Sequence, residues 1–264
     1  MPQTGTRPEN GDTPASASAL LNGLSVLQAF SMGEPVLGVT EISRLVDLHK
    51  STVSRILATL EQAGYVERES DGGRFRLGLG LIALAGPLLA DLDVRRAAHP
   101  VLQHLTARTT ETSALMIWNG HEAVVVEQVA SPKQVKHTAA IGTRYDTYES
   151  SSVQVFLAEL PVGEVERLFE RHLLGPHDPA TLDGYLDDIA RVRKQGYAIN
   201  NGRTSVEEVG IAAPVRDHRG VALASVLLSA PRFRVSPTML EPLAQNVLDA
   251  AAAVSARLGR RPGT

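Results

Sequence analysis

From Leu20 to Phe30 the apolar residues Leu20, Leu21, Leu24, Leu27 and Phe30 recur with the spacing of one helix face, which predicts a first amphipathic helix. Gly33 and Pro35 break that pattern, and "TEISRLVDL" then opens on Thr40, an N-cap residue type followed by an acid, so a short second helix is expected there. In "HKSTVSRILATL", residues 49 to 60, Val53, Ile56, Leu57 and Leu60 fall at i, i+3, i+4 and i+7, and Gly64 supplies a stop. The opposite face of this third helix carries Lys50, Ser51, Thr52, Ser54, Arg55 and Thr59. The period then shortens: residues 65 to 67 and 74 to 77 are strand candidates flanking "SDGG", whose Asp-Gly pair signals a hairpin. Three helices and a hairpin, in that order, describe a winged helix-turn-helix.

Beyond the hairpin, "LGLGLIALAGPLLADLD" is apolar on most of its faces and predicts a linker helix from about Leu79 to Asp93 that buries against a second copy of the chain. A helix is expected from Pro100 to Arg108, then a hairpin of two apolar runs turning at Asn119 and Gly120, then a strand at "QVKHTAAI". Helices are expected at 152 to 160, 162 to 173 and 181 to 195. Strands follow at "GYAIN", "GIAAPVRD" and "GVALASVLLSA", the last two joined by a turn from Asp217 to Gly220, and a helix closes the pattern. The fold class is α+β: an N-terminal winged helix-turn-helix, a linker helix and a C-terminal domain built on an antiparallel sheet. The expected divisions are a disordered tail at 1–16, the winged helix at 17–78, the linker at 79–95, the mixed domain at 96–258 and a loose tail at 259–264. The Pro-, Gly- and Ser-rich start reads as a tail rather than a signal peptide.

Charge narrows the picture without deciding it. The formal net charge is −3, and residues 1 to 80 hold seven Lys and Arg against nine Asp and Glu. DNA binding therefore has to rest on local placement, and residues 49 to 60 contain Lys50 and Arg55 but no acid. Hydroxyls and a basic pair on a short helix suit phosphates and base edges, although a solvated face carries the same residues. Arg68, Arg74 and Arg76 fall where a wing lies along the backbone. There is no cysteine, which fits a cytoplasmic protein and removes thiolate chemistry, and no segment is apolar for the ~18 to 20 residues of a membrane span. Gly78, Gly80 and Ala83 spell the dinucleotide fingerprint G-x-G-x-x-A, but the following residues look helical and lack the ribose-binding acid, so no cofactor is expected. His172, His177 and Asp178 match no metal-ligand spacing, and the serines at 150 to 152 sit in no nucleophile elbow. Neither a metal site nor an enzyme is expected. The loop "GTRYDTYESSS", with Met116, Trp118 and Ser229 on strands among apolar neighbours, suits either a pocket for a small polar ligand or a surface turn.

Two pairs of motifs carry a resemblance over about Ala17 to Leu258: "KSTVSRILATLEQAGYVER" with "RFRLGLGLIALA", and "GYAIN" followed by "GIAAPVRDHRG". In these the chain resembles the isocitrate lyase regulator (IclR) family of bacterial transcription factors. The resemblance implies a winged helix, a linker helix that takes part in dimerisation, and a C-terminal effector-binding domain of GAF-like fold. It places the recognition helix at about His49 to Glu61, with Lys50, Ser51, Thr52, Ser54 and Arg55 on DNA, joined by Thr40 and the wing arginines. It places effector contacts at Ser151, Ser152, Asn200, Gly210, Leu227 and Ser229, with Met116 and Trp118 on the pocket wall. The partners implied are a pseudo-palindromic site on double-stranded DNA, a small organic effector, and further copies of the chain as a homodimer or dimer of dimers. The alternative is a winged-helix protein whose second domain serves only oligomerisation. Four positions depart from the family pattern of a proline, small residues and Gly-Lys before an apolar helix: here they are Asp146, Ser150, Val153 and Gln154. Arg203 and Glu207 stand near where family members tend to carry an acid and a glycine. The effectors of relatives, often small organic acids and aromatic carboxylates, therefore do not transfer.

Overall fold

A computed structural model describes residues 15–30, 34–69, 73–91, 93–138, 140–175 and 182–259. The chain divides into two compact units between residues 91 and 92.

The first unit contains α1 (Ala15–Gln28), β1 (Val36–Gly38), α2 (Val39–Leu45), α3 (Lys50–Gln62), β2 (Val66–Arg68), β3 (Arg74–Leu77) and α4 (Gly80–Asp91). Its core is small: Val26, Phe30, Leu37, Ile42, Val53, Leu57, Val66 and Phe75. The helix α1 starts upstream of the first periodic residue, because the Ala- and Ser-rich segment before Leu20 has helix propensity without a face to bury. Thr40 is not the N-cap of α2; Gly38 is, and Glu41 reaches back to accept from the Gly38 N–H at 2.6 Å, a bond that Thr40 is one turn position too late to organise. Three residues were too few to reveal β1 by pattern, yet it pairs with β3 (Leu37 opposite Phe75), giving the sheet order β1-β3-β2. The Asp71-Gly72 turn expected between β2 and β3 lies outside the described residues.

Gly64, at φ +74°, ends α3: the Tyr65 N–H donates to Leu60 O and the Gly64 N–H to Glu61 O, so two last-turn carbonyls are satisfied by a left-handed cap. The fingerprint glycines have their explanation here. Gly78 N–H donates to Tyr65 O at 2.8 Å and Gly80 N–H to Gly64 O at 3.0 Å, and a Cβ on either residue would sit 2.4 or 2.6 Å from Gly64 O. They allow the backbone after the wing to close on the end of α3.

The second unit contains α5 (Asp93–Thr109), β4 (Thr112–Trp118), β5 (Ala123–Val129), β6 (Arg144–Tyr145), α6 (Ser151–Leu157), α7 (Val162–Glu170), α8 (Leu182–Gln195), β7 (Ala198–Asn201), β8 (Glu208–Arg216), β9 (Ala222–Pro231) and α9 (Pro237–Arg257). A new helix thus starts at Asp93, well before the predicted start at Pro100. Pro100 is internal to α5, which persists because Val94, Ala98, Val101, Leu102 and Leu105 anchor one face of it in the core. All pairings of the six-stranded sheet are antiparallel, in the order β6-β5-β4-β9-β8-β7. One face packs on α5 and α9 through residues such as Leu115, Ile211, Val226, Leu228 and Val247, and the other on α6, α7 and α8 through Met116, Val125, Leu227, Phe156 and Phe169.

Two expectations fail in this unit. The described residues of "QVKHTAAI" form no strand; the segment is held by side chains instead, with Thr112 Oγ1 donating to His137 O and Lys136 Nζ to Ser131 O. The Asn119-Gly120 turn is a four-residue loop rather than a two-residue one: Trp118 pairs with Ala123, and Asn119 Oδ1 accepts from the His121 and Glu122 N–H groups. Gly120 alone takes a positive φ, +110°, whereas the two-residue turn requires it of both residues. Among the described residues no helix is long and apolar enough to cross a membrane.

Buried carboxylates tie the ends of the sheet. Burial by itself raises the pKa of Glu111, but hydrogen bonds from Arg234 (2.8 and 2.9 Å) and Lys133 (2.8 Å) outweigh it and hold the carboxyl below its ordinary value. Glu122 is held down chiefly by the Arg144 guanidinium, against the opposing effect of burial. A carboxylate whose folded-state pKa is depressed contributes stability that is present above its unfolded value and lost as the pH falls through the folded one. The melting temperature should therefore drop as the pH is lowered from about 6 to about 3. Glu122→Gln should cost about 1 kcal/mol at neutral pH, a figure reduced because Arg144 is half exposed, and should cost nothing at the acid end; a cost independent of pH would contradict this reading. In the first unit, Gly78→Ala should destabilise by about 1–3 kcal/mol in thermal unfolding, since the new methyl meets backbone. Gly23→Ala in α1, where a Cβ meets open space, should stabilise by about 0.5–1 kcal/mol.

Candidate nucleic-acid interface and ligand site

His49 caps α3: its Nδ1 accepts from the Ser51 N–H at 3.3 Å and lies 2.7 Å from Ser51 Oγ. Val53 and Leu57 are buried, which fixes the helix's rotation and leaves Lys50, Ser51, Ser54 and Arg55 exposed, with Thr52 half-buried beside them and Thr40 half-buried on α2. Neither Lys50 nor Arg55 has an ion-pair partner among the described residues.

The wing arginines are different. Arg68 pairs with Glu61 at 3.3 Å and lies over the Phe75 ring at 4.5 Å. Arg74 donates to Val36 O at 2.7 Å and to Glu41 at 3.2 Å, and Arg76 pairs with Glu67 at 2.9 Å and Glu69 at 3.3 Å. These four surface pairs are individually weak, but together they cancel the positive charge of the three wing arginines. Sequence reading missed these glutamates. The Glu67–Arg76 pair was open to it, because the two residues stand directly opposite in the hairpin register; Glu41 reaches Arg74 only through tertiary packing.

In the second unit the expected effector residues fall on a single face of the sheet. Strand pairing aligns Asn200, Gly210, Ser229 and Thr112 as one row across β7, β8, β9 and β4, with Ala198, Ala212, Leu227 and Ala114 as the next. Met116 stands opposite Ser225 one row further on, and cross-strand partners share a face. Ser151 and Ser152 open α6 above these rows; a Cβ on Gly210 would lie 3.1 Å from Ser151 Oγ, 3.6 Å from a Leu227 methyl and 3.9 Å from Asn200 Cβ. A side chain at this position would crowd the Ser151 hydroxyl. Trp118, half-buried, stacks on Phe156 of α6 with ring centroids 5.3 Å apart. Asn200 is held by its own loop, its Oδ1 accepting from the Arg203 N–H at 2.8 Å, and Ser229 Oγ donates to Glu208 at 2.7 Å. Burial pushes the neighbouring Tyr145 hydroxyl up to about 12, and the Glu208 charge adds to it.

Polar groups on the two faces differ in kind. Toward α5 and α9 they are satisfied: Ser113 Oγ meets Thr106 Oγ1 and Leu102 O, and Ser255 Oγ bridges Ala251 O and the Arg216 N–H. On the α6 side Ser229 and Thr112 are hydrogen-bonded, but Ser152 Oγ and Ser225 Oγ are buried with no hydrogen-bond partner among the described residues. Ser225 was absent from the sequence reading because its surroundings are apolar in sequence and only the β4–β9 register brings it to Met116. Among the described residues no group of three or more His, Asp or Glu could hold a metal; His177 and Asp178 lie outside them.

Both units have counterparts in known proteins. Residues 19–70 match the IclR helix-turn-helix domain, and residues 87–256 match the bacterial transcriptional regulator IclR C-terminal domain. The chain belongs to the IclR family. Within that family it is 29% identical over 239 residues to the HTH-type transcriptional regulator XynR of Escherichia coli K12, covering 89% of this chain and 95% of that protein. A solved structure of an IclR-family transcriptional regulator is 48% identical, with a TM-score of 0.62 over 64% of this chain and 98% of its own. An IclR homologue from Microbacterium hydrocarbonoxydans, solved with 4-hydroxybenzoate, has a TM-score of 0.75 at 24% identity over 91% of this chain and 99% of that one, a likeness of fold. The IclR relatives matched are HTH-type transcriptional regulators.

Proposed function

We propose that this chain is a sequence-specific, ligand-responsive transcriptional regulator that binds double-stranded DNA as a homodimer, or as a dimer of such dimers. Each copy lays α3 in the major groove of a pseudo-palindromic site, and a small polar molecule between α6 and the sheet biases the DNA-binding arrangement. The observation that carries the DNA contact is the pair Lys50 and Arg55, exposed beside the hydroxyls of Ser51 and Ser54 and without an ion-pair partner among the described residues, while the wing arginines are held by glutamates. Arg55 reads a base edge and Lys50 a phosphate; the wing adds little charge, so the dependence of affinity on salt is shallow for a winged helix.

The unpartnered Ser152 and Ser225 hydroxyls support the ligand site, since a buried hydroxyl without a partner costs about 1–3 kcal/mol that a ligand would recover. The Microbacterium relative holds an aromatic acid. Here the polar groups beside Gly210 and Ser229 are the Ser151 and Ser229 hydroxyls and the Glu208 carboxylate, a set that favours a hydroxyl- or amine-bearing ligand over a carboxylate. Dimerisation is assigned to the first unit, where Leu79, Ile82 and Leu84 at the start of α4 are 73%, 62% and 64% exposed in the single chain.

Binding to DNA flanking the chain's own gene, followed by fluorescence anisotropy against random competitor, tests this function. Arg55→Ala should lose about 1–3 kcal/mol of discrimination, tenfold or more, with little change in affinity for random DNA. Equal losses on both DNAs would remove Arg55 from base reading. The double variant Ile82→Glu, Leu84→Glu should halve the mass seen by light scattering and weaken operator binding at least tenfold; an unchanged mass would move the dimer contact elsewhere.

A further inference from the structure

A second polar cleft lies at the open end of the sheet, away from the serine-lined face. β7 is the terminal strand and pairs only with β8. Between it, α8 and α6 is a cleft of about 240 Å³ whose polar lining includes Gln154, Asp188, Arg191, Gln195 and Arg203. Gln154 is 3% exposed, lines this cleft, and its Nε2 has no acceptor. At 100° per residue it stands about 200° round α6 from Ser152, and none of the residues lining this cleft is Ser152 or Ser225. Both guanidinium groups share one carboxylate: Arg191 and Arg203 each pair with Asp188, the latter at 3.3 Å, which leaves one positive charge in excess. Arg203 is further placed by the Tyr148 ring, 5.4 Å below it, and Asp188 by the Tyr148 hydroxyl at 2.9 Å.

We infer that this cleft is a binding site for a small oxyanion, a carboxylate or phosphate group, with one oxygen accepting from Gln154 Nε2 and the charge met by Arg191 and Arg203. Three donors and a surplus positive charge in a small cavity leave an acceptor of negative charge as the matching group, and the buried carboxamide gives the site a depth that a surface arginine pair lacks. The inference does not depend on DNA binding or on a ligand beneath α6.

Isothermal titration calorimetry of the full chain with sodium phosphate and, separately, sodium acetate at constant ionic strength tests it. One-to-one saturable binding of either anion is expected, weakened at least tenfold by Gln154→Met and by Arg191→Gln and within twofold of the parent in Ser152→Ala. The Arg191 side chain is 65% exposed, so its substitution reports on the site even where Gln154→Met fails to fold. Saturation by acetate alone assigns the cleft to carboxylates and by phosphate alone to phosphates. The inference falls if neither anion saturates, if Arg191→Gln binds as the parent does, or if Ser152→Ala abolishes binding.

Discussion

A strand buried on both of its faces forces the architecture of the larger unit. β8 and β9 are buried along nearly their whole length, Val226 and Leu228 facing one way and Leu227 the other. Such a sheet has to be covered twice, and the chain provides α5 and α9 for one side and α6 to α8 for the other. The two coverings are made differently. α5 and α9 are long helices with continuous apolar faces, whereas α6 is seven residues long, buried throughout, and begins with serines. A short polar-headed helix packs over small residues such as Gly210, Ala212 and Ala114, and it is on this side that hydroxyls lie buried without partners.

In the smaller unit close backbone approach compensates for a sparse core. Eight buried side chains hold three helices and a three-stranded sheet, and the contacts of Gly78 and Gly80 with Gly64 fasten the wing to the end of α3. The orientation of Arg55 is thus inherited from Val53 and Leu57 below it and from the glycine clasp beyond it. With the wing arginines paired, the exposed cations of this unit without an ion-pair partner among the described residues are Arg44 on α2 and Lys50 and Arg55 on α3.

Features governed by near neighbours were legible in the sequence. Val53, Ile56, Leu57 and Leu60 announce both α3 and its buried side, and the Asp217–Gly220 turn forms as its residues specify, Asp217 Oδ1 accepting from the Arg219 and Val221 N–H groups. Features governed by register were not. Nothing local in "GYAIN" reveals that Asn200 will share a row with Ser229, and nothing near Arg74 reveals Glu41. The strand expected within residues 134 to 141 is absent among the described residues for a related reason: the segment is held by a tertiary contact, the Thr112 hydroxyl donating to His137 O, that nothing local announces. The glycine fingerprint shows the converse, where one spacing serves backbone packing as readily as a phosphate.

The six-stranded sheet ends in very short strands, two residues of β6 on one side and four of β7 on the other, the latter flanked by Arg203 and α8. An incoming strand would find only a few rungs of ladder to join, against charge and a helix. The sheet is therefore poorly suited to self-templated growth: copies of this chain crowded together offer one another no long open edge along which their sheets could fuse.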